Sequence, residues 1–227
     1  MTVVAPIRAV LFDWGDTLFE SPHAPTIIRS AARAAGVALP DAEADRMWDE
    51  LWAAGKTEAE HAKGRDLSRD AHQRVWRDLF SRANARVPGI DAVLYQRVMD
   101  PAAWIPYPDT EPTLRALRAR GVPVGIVSNT AHDLRPYFAA KDLDRYVDAY
   151  ALSFEIGAQK PDARVFEAAC AMLGAKPDQT LMVGDDPVTD AGAGAAGLQV
   201  FILPPPTAGG AARGLDRVVA LVDRSRA

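Results

Sequence analysis

The chain has 227 residues, 48% apolar and 25% charged, with a formal net charge of −4. That length buries a substantial core in one domain or in a core plus a smaller insert, and the negative balance leaves no electrostatic footprint for nucleic acid or an anionic membrane surface. The single cysteine, Cys170, excludes an intramolecular disulfide and a cysteine-built zinc site.

No apolar run reaches membrane-spanning length, and the N-terminus lacks a charged segment followed by an apolar one and a cleavage site, so a cytoplasmic protein is expected. The first strand is expected over 7–13, where an apolar run ends in Asp13. A carboxylate at the tip of a buried strand needs a cation, hydrogen-bond donors or open water; the plainer alternative is that Asp13 caps a turn. Gly15 and Asp16 interrupt the pattern before Thr17 and Leu18 resume it.

From about Pro25 to Asp100 apolar residues fall at helical spacing with almost no β-branched runs. Met47, Trp48, Leu51 and Trp52 form one stripe, and Val75, Trp76, Leu79 and Phe80 another, the inner faces expected of a small helical bundle. Gly36, Gly55 and Pro88-Gly89 mark helix ends, and Pro101, Pro106 and Pro108 mark a return connection. His61, Lys63 and Arg65 form a polar cluster that reads first as solvated surface and second as a specificity loop.

After Asp109 helices and strands alternate. Helices are expected from Thr110 to Arg120, from near His132, from Pro161 to Leu173 with proline at the first helical position, and from Asp190 to Ala196. Strands are expected over 122–127, 149–153, 180–183 and 199–203. Continuous apolar strands separated by helices specify an α/β fold, a Rossmann-like parallel sheet covered on both faces. The expected division is residues 1–20 and 105–227 as the α/β core and 21–104 as an inserted α-helical domain.

In such sheets ligands bind beyond the carboxyl ends of the strands. Three strands end in polar residues, at Asp13, Ser128-Asn129 and Asp185-Asp186, and Lys160 stands between the last two groups. Carboxylates meeting at one crevice repel unless a cation sits between them, and oxygen ligands suit Mg²⁺. A substrate phosphate would complete the charge balance with Lys160 and Ser128. Taken singly, Ser128-Asn129 is an ordinary turn, Lys160 an exposed lysine and Asp190 a helix N-cap; their joint placement at one sheet edge favours a site.

The stretches LFDWGDTL at 11–18, GIVSN at 125–129, IGAQKPD at 156–162 and VGDDPVTDAGAGAAG at 183–197 resemble, in order, the four motifs of the haloacid dehalogenase-like hydrolase superfamily. The helical insert resembles that family's type 1 cap domain. The resemblance implies a Mg²⁺-dependent hydrolase, most simply a phosphatase of small phosphorylated metabolites. Asp13 would be the nucleophile, forming an aspartyl-phosphate. Asp13, the Gly15 carbonyl, Asp185 and Asp186 would serve the metal, and Asp190 and Thr17 would support them. Ser128 and the Asn129 backbone would hold the phosphate, and Lys160 would neutralise nucleophile and phosphoryl oxygens.

One position departs from the pattern. Phosphatases of the family carry a second aspartate two residues after the nucleophile, as acid and base; here it is Gly15. A positioned acid/base contributes roughly 10²–10⁴-fold. Asp16 reads first as a residue that tolerates a left-handed turn and second as a displaced acid/base. The departure leaves two alternatives, a phosphonatase, for which Lys56 and Lys63 are the insert's only lysines for a Schiff base, and a non-catalytic phosphometabolite-binding protein. The sequence leaves the oligomeric state open.

Overall fold

The computed structural model describes residues 5–207 and 209–227. The chain forms two compact units, one comprising the described residues up to Ser21 together with Ile105–Ala227, the other Pro22–Trp104. The first unit begins with strand β1 (Ala9–Phe12) and, after a tight turn, the short β2 (Phe19–Glu20).

The regular elements of the second unit are α1 (Pro25–Ala34), α2 (Asp41–Gly55), the one-turn α3 (Glu58–His61), α4 (Arg69–Ser81) and α5 (Ile90–Met99). Ser68 caps α4 by accepting from the Ala71 amide at 3.2 Å. The two apolar stripes meet. Trp52 stacks on Trp48 at 5.1 Å and on Trp76 at 5.4 Å, and Phe80 lies 5.2 Å from Trp76, so aromatic contact adds to area burial. The reading of 61–65 as solvated surface is corrected in part. Arg65 is buried with its guanidinium 4.4 Å from the Trp76 ring centre, beside buried Asp66 and Glu60, whereas His61 is half-buried and Lys63 is exposed. Arginine loses little by this, because its weakly hydrated plane stacks on an aromatic face.

Returning to the first unit, β3 (Ile105–Pro106) pairs antiparallel with β2. There follow α6 (Thr110–Ala119), β4 (Val124–Ser128), α7 (Arg135–Ala139), β5 (Ala149–Leu152), α8 (Ser153–Ile156), α9 (Ala163–Leu173), β6 (Thr180–Gly184), β7 (Gln199–Ile202) and α10 (Asp216–Arg226). Five strands form one parallel sheet in the order β5-β4-β1-β6-β7. The central strand β1 is fully buried, with Leu11 opposite Gly125 on one side and Met182 on the other. Val165, Phe166, Ala169 and Cys170 of α9 pack onto Leu11, Val127 and Met182, and each large side chain so buried contributes about 1.5–3 kcal/mol. Burial pushes the Cys170 thiol up, as for an inert core residue.

Three helix starts differ from the sequence expectation. α9 begins at Ala163, not Pro161: the Asp162 carboxylate caps it by accepting from the Arg164 amide at 2.9 Å, and the Lys160–Pro161 peptide is cis. Residues Ala191–Ala196 form a 3-10 helix, since two glycines in six residues weaken an α-helix by about 1 kcal/mol each. α7 begins at Arg135, because the Thr130 hydroxyl engages the His132 amide and carbonyl locally.

Candidate active site

β1, β4 and β6 end at the same edge of the sheet, and the residues that follow them converge there. Asp13 donates its amide to the Val183 carbonyl at 2.9 Å, which holds the tip of β1 against β6. The Lys160 ammonium, 3% exposed, donates to Asp13 Oδ1 at 2.5 Å and to Asp190 Oδ1 at 2.6 Å. Thr17 Oγ1 lies between the carboxylates of the first and third strand tips, 3.5 Å from Asp13 Oδ2 and 3.3 Å from Asp185 Oδ1. Asp13, Asp185 and Asp190 each bring a carboxylate oxygen within 4.8 Å of the others.

Asp190 is fully buried, so it is not a solvated N-cap. Its second oxygen accepts the Asp186 amide at 3.0 Å. A Cβ on Gly184 would lie 2.0 Å from Asp190 Oδ2, so only glycine lets this carboxylate tuck under the end of β6. Asp186, expected to serve the metal, is engaged at one oxygen: its Oδ1 accepts the Val188 and Thr189 amides at 2.7 and 2.8 Å, and the three carboxylates that gather within 4.8 Å are Asp13, Asp185 and Asp190. Burial opposes the Asp186 charge, but the two amides outweigh it and hold that carboxyl below its ordinary value.

Lysine 160 is fixed from its backbone as well as its head. Asn129 Nδ2 donates to the Lys160 carbonyl at 2.9 Å, and the Lys160 amide donates to Asn129 Oδ1 at 2.7 Å. The sequence reading placed only the Asn129 backbone at the site. The signal for the clamp was a carboxamide, which donates and accepts together, directly after a strand. Ser128 is buried at the tip of β4, next to Asn129.

The turn after β1 places Asp16 in the left-handed region, at φ 58°, which aspartate tolerates better than most residues. Asp16 donates its amide to the Phe19 carbonyl at 2.7 Å. Its Oδ1 accepts both the Ser21 amide at 3.2 Å and the Ser21 hydroxyl. Gly15 contributes no side chain, only a bridge to Phe19. His132 is buried with Trp14 and Tyr137, its ring centre 5.9 Å from that of Trp14.

The electrostatics follow from the count of charges. Burial pushes the Asp13 carboxyl up to about 7; Lys160 opposes the shift and Asp190 and Asp185 add to it. Burial also works against the Lys160 charge, yet Asp13 and Asp190 outweigh it and hold the ammonium firmly charged. Lys160 pairs with two of the carboxylates, Asp13 and Asp190, and Asp185 brings a third to the same strand tips. Their hard oxygens and surplus negative charge fit a Mg²⁺-type ion and would not fit a soft one.

The chain matches the haloacid dehalogenase-like hydrolase family over residues 7–197. It is 29% identical to the ribulose-1,5-bisphosphate 5-phosphatase of Halopiger xanaduensis over 218 residues, covering 92% of this chain and 90% of that protein. It is 31% identical to the glyceraldehyde 3-phosphate phosphatase of Methanopyrus kandleri over 185 residues, 79% of this chain and 76% of that one. Among solved structures, a putative hydrolase of the same family from Bacillus subtilis, bound to magnesium, superposes with a TM-score of 0.72 at 18% identity, covering 96% of this chain and 99% of that chain. The family match over most of the chain, together with these relatives, shows that the chain belongs to the haloacid dehalogenase-like hydrolase family and is a hydrolase.

Proposed function

We propose that the protein is a Mg²⁺-dependent phosphatase of small phosphorylated metabolites, with Asp13 as nucleophile. One observation carries this reading: a fully buried ammonium, Lys160, is held between Asp13 and Asp190 while Asp185 crowds the same strand tips. Such an imbalance is costly in a fold-holding network and useful where a phosphoryl group and its counterion must be received. The curated relatives are named for phosphatase action on small phosphorylated compounds, which supports the substrate class.

Asp13, Asp185 and the Gly15 carbonyl are the groups that would hold the metal, since both Asp190 oxygens already accept hydrogen bonds. When bound, the ion neutralises charge on the phosphoryl oxygens. Asp13 attacks phosphorus, the leaving oxygen departs, and water then cleaves the aspartyl-phosphate to phosphate and free Asp13. Lys160 offsets charge on Asp13 and on the transferring oxygens, and Ser128 with the Asn129 amide orients them. Thr17 keeps the Asp13 and Asp185 carboxylates aligned. Residues 21–104 act as the cap domain and 1–20 with 105–227 as the catalytic core.

Because Gly15 brings no proton donor and Asp16 is engaged by Ser21, substrates with good leaving groups, such as acyl or aryl phosphates, suit the site best. The phosphonatase alternative finds little support. Lys63 is 2.8 Å from Glu60 with a 40% exposed side chain, and Lys56 is exposed near Trp52, whereas a Schiff-base lysine is desolvated. The test is phosphate release from acyl, sugar, nucleotide and nitrophenyl phosphates with Mg²⁺ or EDTA. Activity is expected to need Mg²⁺ and to vanish in Asp13→Asn. Asp16→Asn reports whether that carboxylate moves a proton. Metal-independent turnover, or turnover that survives Asp13→Asn, would overturn the reading, and binding without turnover would favour a binding protein.

A further inference from the structure

We infer that Tyr107 and Arg213 form a second subsite that binds an oxyanion elsewhere on the substrate; the inference rests on the phosphatase reading and deepens it. Both side chains are buried, 3% and 6% exposed, and the Arg213 guanidinium lies 5.5 Å from the Tyr107 ring centre. Arg213 Nε and Nη2 and the Tyr107 hydroxyl have no hydrogen-bond partner among the described residues. Nε and Nη2 together make the side-on edge of the guanidinium, which grips a carboxylate or phosphate with two parallel hydrogen bonds. A buried cation with that edge unmet is costly unless an acceptor joins it.

The fold builds the arrangement from distant parts. Asp109, just before α6, accepts the amides of Arg213, Gly214 and Leu215 at 3.1, 2.8 and 2.8 Å, which pins the connection from β7 to α10 and sets Arg213 over Tyr107. Tyr107 donates its own amide to the Leu18 carbonyl at 3.0 Å, in the turn that follows Asp13. Its phenol is raised first by burial and then by the charge of Asp16, with Arg213 opposing and Glu20 and Asp185 adding, so it lies within the field of the strand-tip cluster. Gly209, Gly210 and Gly214 of that connection adopt left-handed backbone, which glycine takes without strain.

The shared chemistry is a carboxylate or a second phosphate. Inhibition of nitrophenyl phosphate hydrolysis is measured with phosphoglycolate, which carries a carboxylate, with a hexose bisphosphate, and with inorganic phosphate, which carries no second group. In wild type one of the two-headed compounds binds at least roughly tenfold tighter than inorganic phosphate. Arg213→Gln removes that advantage, and Tyr107→Phe reduces it about threefold. Which compound shows the advantage identifies the group. An advantage absent from wild type, or one kept in Arg213→Gln, overturns the subsite. If Arg213→Gln does not fold by thermal melting, an advantage undiminished in Tyr107→Phe overturns it. A wild type inert toward nitrophenyl phosphate counts first against the phosphatase reading.

Discussion

In the helical unit, buried Glu60 and Asp66 lie beside opposite charges. Arg65 lies 3.4 Å from Asp66, His61 is 3.3 Å from the same carboxylate, and Glu60 receives Lys63 and Arg82 at 2.8 and 3.0 Å. Burial opposes the charge on Asp66 and Glu60, but these partners outweigh it and hold both carboxyls below their ordinary values. At the strand tips of the α/β unit the same ingredients give the opposite result: burial pushes Asp13 up, Asp190 and Asp185 add to the shift, and Lys160 does not offset them. A network that serves the fold cancels its charges. One that receives a charged substrate leaves an imbalance for the substrate side to complete.

That contrast is broken or sharpened by substitution. Asp13→Asn is expected to reduce turnover on the order of 10⁴-fold or more without lowering the melting temperature, because one of three crowded carboxylates loses its charge. Steady-state kinetics and calorimetry on one preparation check both parts. In the matched network Arg65→Met should instead cost about 3 kcal/mol, since it strands part of Asp66 and removes the donor to the Gly55 carbonyl. Urea unfolding followed by tryptophan fluorescence reads it, four of the five tryptophans lying in the helical unit.

Smaller effects distinguish the two regions further. Asn129→Ala loosens the Lys160 backbone clamp and should lower kcat roughly tenfold with little change in stability, as stopped assays and melting curves would show. The helical unit should also respond to acid. Carboxyls held below their unfolded values contribute stability that is complete above the ordinary carboxylate range and is lost as pH falls through the lowered folded values. The tryptophan-detected urea midpoint is therefore expected to decline below about pH 4, and Asp66→Asn to flatten that decline.

Much of the fold was legible because its signals are local. Val10, Leu11 and Phe12 form an uninterrupted apolar run, and such runs between helices allow only a doubly covered parallel sheet. The residues that end those strands were legible for the same reason. What escaped depends on contacts between distant segments or on a choice among neighbours. Asp185, Asp186 and Asp190 look equivalent in sequence, yet the loop amides of Val188 and Thr189 claim Asp186, and the space left by Gly184 admits Asp190. Arg213 is set in place by Asp109, 104 residues earlier, with no periodicity to announce it. Pro161 looked like a first helical residue, but the Asp162 carboxylate supplies a better cap two positions before Arg164.

The central claim is that the crowded carboxylate Asp13 takes up the phosphoryl group. Rapid acid quench of the Mg²⁺-loaded protein turning over nitrophenyl phosphate, followed by peptide mass spectrometry, tests it most directly. The account predicts a phosphoryl adduct on the peptide bearing Asp13, absent in Asp13→Asn. Turnover with no adduct on that peptide, or an adduct on another residue, would contradict it.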